Sequence, residues 1–156
     1  MQETLATRWF QRIQKIPGHH LLINLGLSLV APYSGNIRPR IVRVAPGYME
    51  VKMKKRRAVE NHMRTVHAVA MANLVELTAS GAVQFSIPNT ARWIPSGLTL
   101  NYLKKAKTDL RAVCQFDEPD WHTVQDIPVT VDVYDTHGDK VVSATLQMRI
   151  GPKLKK

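Results

Sequence analysis

VHAVAMANLVEL, residues 66–77, is the stretch of the sequence that decides the fold. It is rich in helix-forming residues, and residues 65–83 contain neither Lys nor Arg on any face. A helix that is apolar on nearly all sides is buried on nearly all sides. We therefore predict one long helix over residues 65–83 that lies inside the protein.

The segments on either side of this helix show the alternation of apolar and polar residues that is typical of strands. Before the helix, apolar residues alternate on both sides of Pro46-Gly47, which predicts a hairpin over residues 37–53. After it, strands are predicted over residues 98–103, 108–116, 129–134 and 140–150, the last two joined by a turn at His137-Gly138. This order predicts an α+β fold in which a curved antiparallel sheet wraps one long central helix.

The N-terminal part is predicted to be helical. Leu5, Trp9, Ile13 and Ile16 are spaced as on one face of an amphipathic helix, and a second helical segment is predicted over residues 21–30. At 156 residues and 44% hydrophobic residues, the chain has the length and core of one domain. We divide that domain into an N-terminal helical segment (1–36), a core (37–150) and a basic tail (151–156).

The cysteine content and the apolar segments bear on the compartment. Cys114 is the single cysteine, which excludes an intramolecular disulfide, and its setting predicts a packing role in a strand. The longest apolar stretch, residues 21–32, is shorter than the about 20 residues needed to cross a bilayer. No signal peptide is evident at the start of the sequence. We therefore predict a cytoplasmic protein without a membrane span.

The net charge of +10 arises from Lys and Arg in residues 52–57, 104–111 and 153–156. Such an excess suits an anionic partner, whether nucleic acid, lipid headgroup or a phosphorylated ligand, and charge alone does not choose among them. The basic segments lack the interleaved aromatic residues of proteins that bind single strands. Nucleic-acid binding is therefore the weakest of the functional hypotheses.

Three polar side chains, Asn73, Glu76 and Ser80, share one face of the predicted central helix. Burial raises the pKa of a carboxyl group, which makes such a Glu a tunable base. Glu76 is equally interpreted as a satisfied interior residue, and Ser80 as a hydroxyl bonded to its own helix. The pattern alone leaves both interpretations open.

A family resemblance rests on the run NHMRTVHAV at residues 61–69, followed by LVE at residues 74–76. It resembles the signature of the PaaI-type hotdog thioesterases, in which Asn or Gln lies six residues before a His and an acidic residue nine after it. Asn61, His67 and Glu76 match both intervals. Residues 32–35 and 98–106 extend the resemblance, which covers nearly the whole chain and is closest to an uncharacterised bacterial branch of that superfamily.

The resemblance implies a hotdog fold and a role for each matched residue. It makes Glu76 the general base or nucleophile, and Asn61 the residue that holds the water or the carbonyl. His67 then lies at the helix start, where the backbone N–H of Ala68 polarises the carbonyl oxygen. Ser80 matches a position at which some relatives carry a helping hydroxyl.

The resemblance also implies self-association, as a homodimer or a dimer of dimers (homotetramer). Relatives build each site across a dimer interface, so that Glu76 comes from one subunit and Asn61 with His67 from the other. The implied substrate is an acyl-CoA or acyl-carrier thioester, with coenzyme A as part of the substrate and no separate cofactor. Candidate phosphate contacts are Lys104, Lys105 and Arg57.

One departure from the family pattern bears on turnover. Relatives follow the His with two glycines, whereas this chain has Ala68 and Val69. A β-branched side chain at that position narrows the approach to the site. The departure favours the alternative of a non-hydrolytic hotdog protein that binds acyl-CoA or has a structural role.

A metal site is not predicted. His19-His20 and the pair His62 and His67 are the candidate ligands, and no set of three or four ligands with suitable spacing accompanies them. A metal-dependent mechanism is therefore left out of the hypotheses.

Overall fold

The computed structural model describes residues 4–153, with Leu5 and Ala6 described by their backbone alone. The helices are α1 (Leu5–Ile13), α2 (His19–Val30), α3 (Pro32–Gly35) and α4 (Ala68–Ser86), with a 3-10 turn at Arg57–Val59. The strands are β1 (Arg40–Ala45), β2 (Tyr48–Met53), β3 (Ala91–Tyr102), β4 (Leu110–Gln115), β5 (Gln125–Tyr134) and β6 (Lys140–Pro152).

All six strands form one antiparallel sheet in the order β1-β2-β4-β5-β6-β3. Helix α4 contacts every one of them, so the sheet wraps the helix. The predicted α+β class, with a curved sheet around one long helix, is confirmed. Strands β1 and β3 are the two edges of the sheet.

Helix α4 is buried along most of its 19 residues, and Leu74, Val75 and Val83 are fully enclosed. It begins three residues later than predicted, because the N–H of Val66 donates to Ala106 O at 2.8 Å and residue 66 bridges to residue 60. The apolar composition of residues 66–77 therefore predicted the burial correctly, whereas a tertiary hydrogen bond sets the first turn.

The strands beneath α4 show which side of the sheet faces the helix. In β2, Met49, Val51 and Met53 are buried and alternate with the exposed Lys52. A Cβ built on Gly81 of α4 would lie 2.3 Å from Met49 Sδ, so this buried face is the one that α4 covers. The residues paired with these three in β4 are also buried: Cys114, Ala112 and Leu110.

Cys114 packs as an apolar residue in this layer. Its side chain is buried, and burial raises the pKa of its thiol to about 12. A thiol with that pKa is protonated at neutral pH, and the protonated form is a poor nucleophile. The predicted packing role of Cys114 is confirmed.

Helix α1 is anchored to the end of α4. The hydroxyls of Thr4 and Thr7 donate to Phe85 O at 2.7 and 2.9 Å, and Thr4 Oγ1 also caps α1 by accepting from Thr7 N. The Phe10 ring lies 5.5 Å from the Phe85 ring. These contacts cover the C-terminal end of the central helix.

The predicted helix at the N-terminus is confirmed, but its predicted buried face is wrong. Trp9 is 62% exposed and Ile16 is 49% exposed, whereas Phe10 and Thr7 are buried. The two threonine hydroxyls that bond to Phe85 O rotate the helix toward Phe10. The periodicity of the sequence does not reveal these tertiary hydrogen bonds.

Helix α2 confirms the second helical segment and leaves one apolar face uncovered. None of its residues is fully buried, although Ile23 and Leu27 pack against the core. Its other apolar side chains are exposed: Leu21, Leu22, Leu25, Leu29 and Val30. A contiguous apolar surface of this kind marks an interaction site.

All four strands after α4 differ from their predicted bounds: β4 is shorter, over Leu110–Gln115, and β5 begins at Gln125 rather than at residue 129. Strand β3 begins at Ala91 rather than at residue 98, and a register shift lies between Pro95 and Gly97. Strand β6 extends to Pro152, so residues 151 and 152 belong to the sheet rather than to the predicted tail. Residues 154–156 of that tail lie outside the described residues, and the division into one domain with three parts stays a prediction.

The close approach of α4 to β2 gives a testable prediction. We expect Gly81→Leu to lower the free energy of unfolding by about 1–3 kcal/mol, because any side chain at position 81 overlaps the buried Met49. Gly26→Leu is the matched control, since a Cβ at Gly26 meets nothing within 4 Å. In urea unfolding the control should be neutral or stabilising by up to about 1 kcal/mol. Equal losses for both variants would contradict the packing described.

Candidate active site

The three polar residues of α4 have different partners. The Ser80 hydroxyl donates to Glu76 Oε1 at 2.8 Å, so the predicted pair is in contact. The Asn73 amide donates to Tyr33 O at 2.9 Å, which ties α3 to α4. Ser80 and Asn73 are each 8% exposed, whereas Glu76 is half-buried. Its carboxylate therefore has one oxygen oriented by Ser80 and a second that accepts no hydrogen bond from residues 4–153.

Three hydrogen bonds hold the start of α4 in place. His67 is the N-cap, and its Nδ1 accepts a hydrogen bond from Val69 N at 3.1 Å, so the ring proton of the neutral form is on Nε2. The His67 N–H donates to Val59 O at 2.8 Å, and the Tyr102 hydroxyl donates to Ala68 O at 3.1 Å. A helix start fixed in this way presents its N–H groups in a constant direction.

The backbone N–H of Ala68 has no hydrogen-bond partner within residues 4–153. It is the first N–H of the helix, one of the four that an α-helix leaves unpaired. Together with the positive end of the helix dipole, it can stabilise negative charge on an oxygen. The N–H that the resemblance implies as the oxyanion donor is thus unpaired among the described residues.

Asn61 closes the loop that precedes α4. Its Oδ1 accepts from Met63 N at 3.0 Å and from Thr65 N at 3.2 Å, and its Nδ2 donates to Thr65 Oγ1 at 2.9 Å. Arg64 in this loop has a left-handed backbone, with φ of 56°. Asn61 therefore has a structural function in the loop, and its implied contact with water or carbonyl stays a prediction.

Ala68 and Glu76 are far apart within one chain. They lie on the same helix, eight residues apart, and at about 1.5 Å of rise per residue this is about 12 Å along the axis. A carbonyl oxygen bonded to the Ala68 N–H is then beyond the reach of Glu76 of the same chain. The structure brings Glu76 and Ser80 together in one place, and His67 and Ala68 together in another.

The residues that replace the two glycines are part of the first turn of α4. Ala68 is half-buried, and Val69 is 51% exposed at the surface. Val69 thus follows the unpaired Ala68 N–H directly in the chain, and its side chain is at the surface rather than in the core.

The candidate phosphate contacts are divided between two places. Lys104 and Lys105 line a cavity of about 430 Å³ together with Asp135, His137 and Asp139. Lys104 forms an ion pair with Asp139, and the hydrogen bond that it donates to this carboxylate raises the pKa of the lysine. Arg57 lies apart, exposed in the 3-10 turn.

Tyr102 is a site residue whose contact the sequence analysis missed. Its hydroxyl reaches across from the end of β3 to Ala68 O. The ring is 49% exposed, and the sequence shows only an aromatic residue near the end of a strand. That signal does not identify the helix start as its partner.

Residues 4–153 contain neither a candidate metal site nor a helix that could span a membrane. No group of three or more His, Cys, Asp or Glu is placed to hold a metal ion. No helix in this part of the chain has the length and apolar character needed to cross a membrane.

Comparisons with known proteins agree on the fold. A family described as a domain of unknown function, DUF4442, matches residues 19–150. A structural-genomics protein, APC5556, is 35% identical, with a TM-score of 0.85 over 96% of this chain and 100% of its own. No curated protein matches the chain.

Two more distant solved structures carry functional names. A thioesterase family protein from Silicibacter pomeroyi is 15% identical, with a TM-score of 0.70 over 86% of this chain and 99% of its own. A thioesterase from Haemophilus influenzae is 12% identical, with a TM-score of 0.72 over 85% of this chain and 90% of its own. The predicted hotdog fold is confirmed.

The turn at Asn61 yields a stability prediction. We expect Asn61→Ala to lower the free energy of unfolding by about 1–3 kcal/mol, because two loop N–H groups lose their acceptor. Asn61→Asp retains the two backbone hydrogen bonds that Oδ1 accepts and loses only the one that Nδ2 donates, so it should lower the free energy of unfolding by less. Thermal melts of the two variants measure the difference. Equal losses for the two variants would show that Oδ1 does not close the loop.

Proposed function

We propose that this chain, which belongs to the DUF4442 family, is a hydrolase of acyl-CoA or acyl-carrier thioesters. The observation that carries the proposal is the half-buried Glu76 on the central helix of a hotdog fold, with its Oε1 bound by Ser80. Its intervals to Asn61 and His67 match those of the PaaI-type thioesterases.

The chemistry follows from the free carboxylate oxygen. Glu76 either takes a proton from a water molecule that attacks the thioester carbonyl or attacks that carbonyl itself. The carbonyl oxygen becomes an oxyanion, which the N–H of Ala68 and the helix dipole stabilise. Collapse of the tetrahedral species breaks the C–S bond and releases a thiolate, which is protonated. On the route in which Glu76 itself attacks, the collapse leaves an anhydride between Glu76 and the acyl group, which water then hydrolyses. Both routes yield a carboxylic acid and a free thiol.

A complete site requires two chains. The distance of about 12 Å between Ala68 and Glu76 along one helix supports the prediction that Glu76 acts opposite Ala68 of a second copy. Strand β3 supports it as well, since it is an edge strand with exposed apolar side chains at Ile94 and Leu98. Such an edge is a template for pairing with another chain. We propose a homodimer, alone or as half of a tetramer.

The phosphate contacts and the cytoplasmic location remain parts of the same proposal. Lys105 and Arg57 are exposed cations that can meet the phosphates of coenzyme A, whereas Lys104 has to leave Asp139 to do so. The free Cys114 is compatible with a reducing compartment.

Replacement of the carboxylate tests the catalytic role. We expect Glu76→Gln to lower kcat/KM on a panel of acyl-CoAs by about 10²–10⁴-fold, because the amide is neither a base nor a nucleophile. Glu50→Gln is the matched control, since Glu50 lies on the sheet face away from α4. Steady-state release of coenzyme A measures both variants. Equal rates for wild type and Glu76→Gln would reject Glu76 as the catalytic residue.

Subunit complementation tests the shared site. Ala68→Pro removes the oxyanion N–H at the first helical position, where Pro is tolerated, and the extended backbone of His67 suits a following Pro. We expect this variant to keep its melting temperature and to lose about 10²–10³-fold in kcat. It should be inactive alone, as Glu76→Gln should be.

Mixing and reassociation of these two inactive variants should restore about a quarter of the wild-type activity, since about half of random dimers are mixed and each contains one intact site. The control is a mixture of Glu76→Gln with itself, treated in the same way. No recovery in a mixture shown by native mass to contain mixed dimers would place both groups in one chain.

The second candidate function is acyl-CoA binding without turnover. The exposed Val69 beside the Ala68 N–H favours it, because the side chain occupies the place that glycine leaves open in the family pattern. Acyl-CoA binding by a wild type that releases no coenzyme A is the outcome that this candidate expects.

A further inference from the structure

A cavity beside α2 is lined by residues other than those of the proposed thioesterase site. It has a volume of about 640 Å³, within the range of small-molecule sites, and it lies between α2 and strands β1, β2 and β4. Lys52 lines it from the exposed face of β2, and the buried Met53 and Leu110 line it as well. No residue of α4, the helix that carries Glu76, lines this cavity.

The strand register places three cations side by side along this cavity. Arg40 of β1 pairs with Lys52, and Lys52 pairs with Arg111 of β4, so the three lie side by side on one rung of the sheet. Arg38 and Lys54 extend the row at its end. With Asp109 and Asp135, the lining has five cations and two carboxylates, which is a formal charge of +3.

The two carboxylates are already engaged with the backbone. Asp109 accepts from Lys55 N at 2.8 Å, and Asp135 accepts from His137 N at 2.9 Å and Asp139 N at 3.0 Å. Among the cations, Arg111 has one long ion pair, 3.9 Å to Glu50. The other four have no ion pair within residues 4–153. Their charge is therefore available to a ligand.

Arg38 is held in an unusual backbone conformation where it meets the cavity. Its φ is 49°, in the left-handed region that favours glycine, and Pro39 follows it. Its N–H donates to Gly35 O at 2.9 Å, so the end of α3 holds this conformation. Non-glycine residues in that region cluster at ligand sites, where the surrounding structure fixes them.

The helix side of the cavity adds a polar group without a partner. Asn24 Oδ1 is buried, and no hydrogen-bond donor reaches it from residues 4–153. A buried carbonyl oxygen of this kind calls for a donor. A hydroxyl group on a ligand supplies one, and His20 lies on the same side.

We propose that this cavity is a second ligand site, which binds a phosphorylated and hydroxyl-bearing molecule of nucleotide size. The cations would neutralise the phosphates, and Asn24 would accept from the hydroxyl. The ligand is either a free nucleotide or the nucleotide end of a larger molecule such as coenzyme A. Binding at this site does not depend on hydrolysis at Glu76.

Titration calorimetry with ADP tests the site, and adenosine is the uncharged comparison. We expect ADP to bind and adenosine to bind at least about tenfold more weakly, because only ADP meets the cations. The double variant Arg40→Gln with Lys52→Gln should lose about tenfold or more in ADP affinity. Both residues are on the sheet surface, and a thermal melt checks that the variant is folded.

The charge-matched control is Lys140→Gln with Arg149→Gln, two exposed cations that lie outside the cavity in ion pairs with Asp132 and Asp126. It should retain the ADP affinity of wild type. Equal losses of ADP affinity in the two double variants would show that the affinity depends on net charge alone. That result would overturn the proposal. Equal affinities of wild type for ADP and adenosine would also overturn it.

A kinetic comparison then identifies the source of the phosphates. If they belong to coenzyme A, the cavity variant raises KM for an acyl-CoA and leaves KM for the corresponding acyl-pantetheine unchanged. If they belong to a separate nucleotide, both KM values stay at wild-type levels while ADP binding is lost. Loss of ADP binding supports the site even in a protein without turnover, so the two proposals fail independently.

Discussion

The burial of α4 against the sheet is the constraint on which the rest of the structure depends. Gly81 lets the helix approach β2 so closely that a Cβ there would overlap Met49. Apolar residues occupy the side of the helix that the strands cover, so Asn73, Glu76 and Ser80 lie on the other side. The half-buried position of Glu76 is thus a consequence of how the core is packed.

The same sheet divides the chemistry of the protein into two faces. The face under α4 is apolar and contains the neutral thiol of Cys114. The outer face carries the row of Arg40, Lys52 and Arg111, together with acidic partners such as Glu50. Five of the 22 Lys and Arg residues line the cavity beside α2. A carboxylate and a cationic cavity can coexist in so short a chain because they share no residue.

The central helix and the hairpin were predictable because their periodicity is a local property of the sequence. The buried face of α1 was not, since two hydroxyls bonded to Phe85 O decide it. The first half of β3 was missed because edge residues such as Ile94 are exposed and Pro95 interrupts the pattern. The matched intervals select Glu76 as the candidate carboxylate, but the turn made by Asn61 and the cationic row depend on contacts that the sequence pattern does not show.

The distance along α4 between Ala68 and Glu76 bears on how the subunits assemble. Residues that the family pattern places in one site are about 12 Å apart on one rigid helix, and no rearrangement of side chains closes that distance. In the proposed homodimer, a two-fold contact would bring Glu76 of each chain toward Ala68 of the other and would form two equal sites. Pairing through β3 would leave β1 at the opposite edge of the sheet. The cationic cavity beside β1 therefore stays open in each chain of such a dimer, and it can bind its ligand while both thioesterase sites are formed.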